Sequence, residues 1–410
     1  MDLDHLVVAT YELAGEFPLR DAARVLAAEQ TTGTWTEVRT APKSVEERLA
    51  GRVLGVDEKK QTARVGFPLE IFEARNLPGV LSILAGNFFG LGSLTKARWV
   101  DIDLPPSFAK QFPGPRFGID GIRKLVGTTK NRRPHCGTIV KPKVGLDPKG
   151  TARVAKEAAL GGLDFIKDDE TLTDQAFCPF EDRLRLVMEG LDQAKSETGQ
   201  TTLYAVNVTA DQRTMVERAE RAMELGANCI MMDVLTAGFH GLQALREDTA
   251  VNVPIHVHRA MHGAMTRSRE FGISMGVICK LVRLLGGDQL HTGSASGKME
   301  RPADLPVLLG ALRDPWHGLK PVFPVSSGGM HPASAEREHA AFGDDFVLQA
   351  GGGVHGHPDG TMAGARALRQ SVEAVAKRVP LATHAKTHPE LQKALDKWGH
   401  ETYSYETFKT

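Results

Sequence analysis

From about Asp120 to the C-terminus, short apolar runs alternate with amphipathic stretches. The runs are Cys136–Lys143, Leu163–Glu170, Thr202–Thr209, Cys229–Leu235, Pro254–Ala260, Gln289–Gly293, Val322–Gly329 and Phe346–Gly353. Near-continuous apolar runs of this length suit strands buried on both faces of a parallel sheet. Between them, Arg183–Glu197, Arg213–Leu225, Met275–Leu285, Pro302–Leu312 and Ala363–Val379 carry the period of helices packed on one side. Eight strands alternating with helices at regular spacing predict an α/β protein with a closed (β/α)8 barrel, the TIM barrel. An open doubly wound sheet is the alternative. Its glycine fingerprint belongs after the first strand, whereas the GxGxxG match here, Gly351–Gly356, follows the last.

The chain ahead of the barrel is patterned differently. Val7–Tyr11, Trp35–Val38, Thr62–Pro68 and Ala97–Ile102 read as strands, and Leu19–Glu29 and Leu77–Ala85 as helices. They predict a smaller N-terminal α+β domain over residues 1–115, ferredoxin-like in type, with the barrel and a helical tail (including Leu391–Trp398) over residues 116–410. The proline- and glycine-rich segment Gln111–Gly118 is the expected junction. Lys+Arg and Asp+Glu both number 50, so no overall basic field points to nucleic acid. Four scattered cysteines without a CxxC pair read as buried, reduced thiols. Acids near the N-terminus and the lack of a long apolar stretch add the expectation of a cytoplasmic protein with no membrane partner.

With the strands placed, polar residues collect at six of the eight strand ends. The first run ends in Lys141-Pro142-Lys143 and the second in Lys167, Asp168, Asp169 and Glu170. The fifth carries His256, His258 and Arg259, with His262 beyond, and the sixth ends in His291-Thr292-Gly293. The last two end in Ser327-Gly328-Gly329 and Gly351-Gly352-Gly353. Singly, each has a bland reading: a solvated lysine, a core histidine, a tight turn. In a TIM barrel these points share the catalytic face. Glycines after the last two strands allow backbone N–H groups to approach a phosphate, and Arg259 and His291 suit a second anionic group. Lys167, Asp169 and Glu170 make a nest for a hard divalent cation, provided that CO2 converts the lysine to a carbamate. An apolar strand and neighbouring cations favour the neutral amine at Lys141 and Lys143, as proton transfer requires. Enolisation of a ketone, or loss of CO2 from a β-keto acid, is the chemistry implied.

These strings resemble the large subunit of ribulose-bisphosphate carboxylase (RuBisCO) and its RuBisCO-like relatives. The matching segments are Thr138–Leu146, Gly161–Glu170, His258–His262, Asp288–Gly293 with Gly297-Lys298, Ser327–Gly329 and Gly351–Pro358, with Ala28–Trp35 and Gly86-Asn87 in the first domain. The resemblance implies Lys167 as an N6-carboxylysine that, with Asp169 and Glu170, holds one Mg²⁺. It implies Lys141 as the enolising base, Lys143 beside the reacting carboxyl, and His258 in proton transfer. Arg259, His291 and Ser327 would hold one end of a phosphorylated ketose or sugar acid. Thr34, Trp35, Lys298, Gly329, Gly351 and Gly352 would hold the other, with Gly328 in the same cradle. Because Glu29, Thr34, Trp35 and Asn87 serve a neighbouring subunit in that family, a homodimer, or an assembly of dimers, is implied.

One departure steers the expected reaction. Lys298 is kept, but Glu300-Arg301 follow where a carboxylase usually has a small residue and a glycine. The expectation is therefore a RuBisCO-like (form IV type) carbon–carbon lyase that decarboxylates 3-oxo-isoapionate 4-phosphate in carbohydrate catabolism. The alternatives are ribulose-1,5-bisphosphate carboxylase and the 2,3-diketo-5-methylthiopentyl-1-phosphate enolase or isomerase of methionine salvage. Enolases of that last kind resemble the chain in Gln111–Arg123 but characteristically lack several of the groups kept here after the fifth and sixth strands.

Overall fold

The computed structural model describes residues 4–36, 39–40, 42–297 and 304–399. The N-terminal sheet holds β1 (Leu6–Gly15), β2 (Arg52–Asp57), β3 (Thr62–Pro68) and β4 (Leu94–Asp103) in the order β4-β1-β3-β2, all antiparallel. Helices Leu19–Glu29 and Leu77–Leu84 make the crossovers, which is the ferredoxin-like split βαβ arrangement. β2 went unforeseen because its six residues are half-exposed and show no alternation. Of the expected strand Trp35–Val38, Trp35 and Thr36 form a bend, and residues 37 and 38 lie outside the described residues.

All eight expected barrel strands form: β5 (His135–Ile139), β6 (Phe165–Lys167), β7 (Leu203–Asn207), β8 (Cys229–Asp233), β9 (Ile255–His258), β11 (Gln289–His291), β12 (Phe323–Ser327) and β13 (Val347–Ala350). They close into a barrel through parallel neighbours, β13 pairing β5 and β9 pairing β11. β10 (Phe271–Ile273) leaves the barrel's βα layer and adds a parallel edge to β4, joining the loop after β9 to the N-terminal sheet. Three half-buried residues give too short a pattern to read as a strand.

The barrel interior is packed by Phe165, Leu203, Ala205, Met231, Phe323, Val325 and Val347. Ile119 and Ile122 of helix Gly118–Val126 join that cluster, which plugs the floor. Asp288, just before β11, secures the plug by accepting the backbone N–H groups of Phe117 at 2.7 Å and Gly118 at 2.9 Å. With the floor closed, solvent and substrate have the opposite mouth, where the strands end. Register brings those ends level: Ile139 pairs with Lys167, Asp233 with His258, and His291 with Val325. The four cysteines are free and buried.

Candidate active site

The two-residue period of β6 decides which of its acids serve the mouth. Phe165 and Lys167 face inward, whereas Ile166 and then Asp168 face the helix layer. Buried Asp168 accepts hydrogen bonds from Tyr204 Oη, Arg183 Nε (3.2 Å) and the Asn207 backbone N–H (2.9 Å). Of the three consecutive acids, only Asp169 and Glu170 meet the lysines.

Lys141, two residues beyond β5, donates to Asp169 Oδ2 at 2.7 Å. Lys143 lies 3.9 Å from Asp169 and 3.4 Å from Glu170. The Lys167 ammonium group is fully buried, donates to the Asp168 carbonyl at 2.9 Å and reaches Glu170 Oε2 at 3.4 Å. Burial pushes the Lys167 amine below its ordinary pKa, although Glu170, Asp169 and Asp233 pull the other way. Burial would raise the Glu170 carboxyl, but the charges of Lys167, His258 and Lys143 outweigh it and hold the group well below the usual carboxylate range. The burial expected of Lys141 and Lys143 is found only in part, since the Lys143 side chain is 57% exposed and Lys141 is ion-paired.

Among the described residues, no group of three His, Cys, Asp or Glu side chains is placed to hold a metal ion. Asp169 and Glu170 supply carboxylate oxygens but are one donor short of such a group. The buried Lys167 Nζ stands beside Glu170, so a carboxyl group added to it would complete an all-oxygen set. The donors present therefore fit a hard cation only with Lys167 carboxylated.

Sequence reasoning had found no chemistry at the third and fourth barrel strands. The structure supplies it. Asn207 ends β7 and donates to the Glu170 carbonyl at 3.2 Å. Asp233 ends β8, and its Oδ1 lies 2.7 Å from His258 Nδ1, leaving Nε2 of that ring 3.7 Å from Glu170. The sequence signal was weak, because Asn207 and Asp233 lie inside the runs Thr202–Thr209 and Cys229–Leu235 and do not close them. His256, one layer below His258, packs against Phe165 and forms a chain: Gln289 Oε1 to Nδ1 at 2.9 Å, Nε2 to His291 Nε2 at 2.9 Å, and His291 Nδ1 to Ser327 Oγ at 2.6 Å. Burial holds both rings well below the ordinary histidine pKa, with neighbouring cations adding to it, so the chain is one of neutral imidazoles.

Ser327 leads into Gly328 and Gly329, whose φ values of 103° and 86° exclude most side chains and turn the backbone across the mouth. Beyond the neighbouring strand β13, Gly351 comes so close to the segment following β5 that a methyl there would lie 3.2 Å from Lys141 Cε. Gly352 opens a helix of one turn, Gly352–His355. Arg259 is half-buried beside His258, and its charge opposes protonation of His262 and His291. Glu29, Thr34, Trp35 and Asn87 all belong to the N-terminal domain, where Gln30, beside Glu29, accepts the N–H of Phe88, beside Asn87, at 3.2 Å. Lys298 lies outside the described residues.

Two family comparisons account for nearly the whole chain: the ribulose bisphosphate carboxylase large chain catalytic domain over residues 118–398 and its N-terminal domain over residues 2–108. The chain belongs to the ribulose bisphosphate carboxylase large-chain family. A ribulose bisphosphate carboxylase of Methanocaldococcus jannaschii is 44% identical over 405 residues, covering 93% of this chain and 94% of that protein. The corresponding protein of Methanosarcina mazei is 43% identical, with 92% of each covered. Among solved structures, octameric Rubisco from Pyrococcus horikoshii superposes with a TM-score of 0.92 at 38% identity, over 98% of this chain and 95% of that one. Dimeric archaeal Rubisco from Hyperthermus butylicus gives 0.88 at 38% identity, over 97% of each.

These relatives correct the expected activity. Proteins named as carboxylases match over more than nine-tenths of the chain, which overturns both the RuBisCO-like assignment and decarboxylation of 3-oxo-isoapionate 4-phosphate. That expectation leaned on Glu300-Arg301, two residues outside the described ones that were asked to choose among reactions sharing one lysine–carboxylate set. The chain is an enzyme of the carboxylase family.

Proposed function

We propose that this protein is a ribulose-1,5-bisphosphate carboxylase, active as a dimer or an assembly of dimers. The observation that carries the reading is the convergence of Lys141, Lys167, Asp169, Glu170 and His258 at one barrel mouth, with the contacts given above. It rests equally on the family's archaeal members, whose names state that activity.

Lys167 is suited to react with CO2 because burial favours its neutral amine. Its nitrogen lone pair would form the N–C bond with loss of one proton to solvent, and the resulting carbamate, with Asp169 and Glu170, would hold Mg²⁺. Bound there, Mg²⁺ would supply the concentrated positive charge that favours loss of a proton beside a ketone. We assign Lys141 to proton transfer at the substrate carbon and Lys143 to the neighbouring carboxyl. His258, with its tautomer and orientation set by Asp233, relays a proton at the mouth. Arg259, His291 and Ser327 hold one phosphate, and Gly328, Gly329, Gly351 and Gly352 cradle the other, with Lys298 assigned beside it. Trp35 leaves 92% of its surface exposed, unusual for so large an aromatic ring. This supports docking of Glu29, Thr34, Trp35 and Asn87 on a second copy of the chain.

The test is fixation of radiolabelled CO2. Protein incubated with bicarbonate and Mg²⁺, then given ribulose 1,5-bisphosphate, is expected to yield acid-stable label in phosphoglycerate. Absence of that product from folded, CO2-treated protein removes the assignment.

A further inference from the structure

We propose that Glu338 is a positioning residue whose carboxylate ties the loop after β11 to the end of β12, holding His291 and Ser327 as one anion-binding edge. The inference deepens the reading above, which gives that edge to a substrate phosphate. Glu338 lies on helix Ala335–Phe342 and is fully buried. It accepts four hydrogen bonds: from the Ala295 N–H at 3.0 Å, the Ser296 N–H at 2.9 Å, Ser296 Oγ at 2.6 Å and Ser326 Oγ at 2.7 Å. A carboxylate removed from water is tolerable only when its lone pairs are satisfied, so these donors are fixed in place.

All of them stand behind the edge that would read the anion. Ser326 precedes Ser327, and Ala295 and Ser296 follow closely on His291. In front, His291 Nδ1 meets Ser327 Oγ at 2.6 Å, and the ladder adds the Thr292 N–H to the Val325 carbonyl at 3.1 Å. Close packing completes the link, since a Cβ on Gly297 would lie 2.2 Å from the Gly328 carbonyl oxygen and 2.3 Å from Ser294 Oγ. The two loops are thus one body, with Glu338 as its rear fastening. None of its four hydrogen bonds goes to a residue assigned to the substrate, so its effect is indirect.

Glu338→Gln keeps the shape but turns one acceptor into an N–H donor facing other donors. Ser326→Ala removes a single bond and is the milder variant. Both are compared with wild type in three measurements: steady-state kinetics with ribulose 1,5-bisphosphate, calorimetric binding of inorganic phosphate, and hydrogen exchange at the Ala295 and Ser296 amides. Loss of a charge-assisted bond in Glu338→Gln is expected to raise KM and the phosphate Kd together by about tenfold, with kcat within about twofold. Exchange at the two amides should quicken by about tenfold or more while β12 and β13 stay protected. Ser326→Ala should move the same quantities the same way by a smaller factor, and it decides the matter if Glu338→Gln does not fold. Unchanged phosphate affinity, or weaker phosphate without faster exchange at both amides, overturns the proposal. If wild type binds phosphate but does not turn over the bisphosphate, the assigned reaction falls while the phosphate and exchange measurements still decide the role of Glu338.

Discussion

At the end of β6, adjacent acids do different work because a strand turns successive side chains to opposite faces. Asp168 fastens the helix layer through Arg183 and Tyr204, while Asp169 meets Lys141. Nothing in the string Lys-Asp-Asp-Glu separates them until the strand direction is known. The same holds for His256 and His258, which share a face but sit at different depths, so one is a buried relay and the other reaches Glu170. Asp233 is the residue whose importance emerged only in three dimensions. Removing its charge while keeping its shape leaves His258 free to take the wrong tautomer. Asp233→Asn is therefore expected to lower kcat by about 100-fold with little change in Tm. Carboxylation kinetics beside a thermal melt check this, and an unchanged kcat would take Asp233 out of the proton path.

Between elements, the entry to the barrel's first two strands hangs on one buried ion pair. Arg133 grips Asp164 through two hydrogen bonds of 2.6 Å each, and the same carboxylate accepts the Cys136 N–H at 3.0 Å. Burial opposes the charge on Asp164, yet Arg133 holds its carboxyl well below the ordinary range. Burial, reinforced by Asp164, pushes the Cys136 thiol up to about 12, so this cysteine is inert. Arg133→Met would leave a buried carboxylate with the Cys136 N–H and the Arg369 guanidinium, 3.7 Å away. The expected cost is about 3–5 kcal/mol in urea unfolding, most of it regained when Asp164 is replaced by an apolar residue as well. At this scale the long elements were legible, because helices such as Met275–Leu285 repeat their pattern over several turns. β2 and β10 were not, since short half-exposed strands are specified by the partner strand they find.

Over the whole molecule, several buried histidines make the fold acid-sensitive. Burial holds His135 at about 3 and His262, His331 and His355 each at about 4. An unfolded histidine titrates near 6.5, so below that pH the unfolded chain binds protons that the folded chain refuses. Their contribution to stability is complete above about pH 6.5 and is lost as pH falls through about 4, and for His135 about 3. Melting temperature should therefore drop steadily between these limits, and a flat profile there would show that these rings are not neutral in the fold. By itself the sequence determined the eight-stranded count, the parallel barrel and the strand ends at which chemistry gathers, because periodicity and apolar runs are local properties. Tertiary structure alone decided which neighbouring acid faces the mouth, that Asn207 and Asp233 complete the ring of polar strand ends, and that Glu338 fastens two loops from behind. Those contacts join residues far apart in the chain, and their geometry exists only once the barrel has closed.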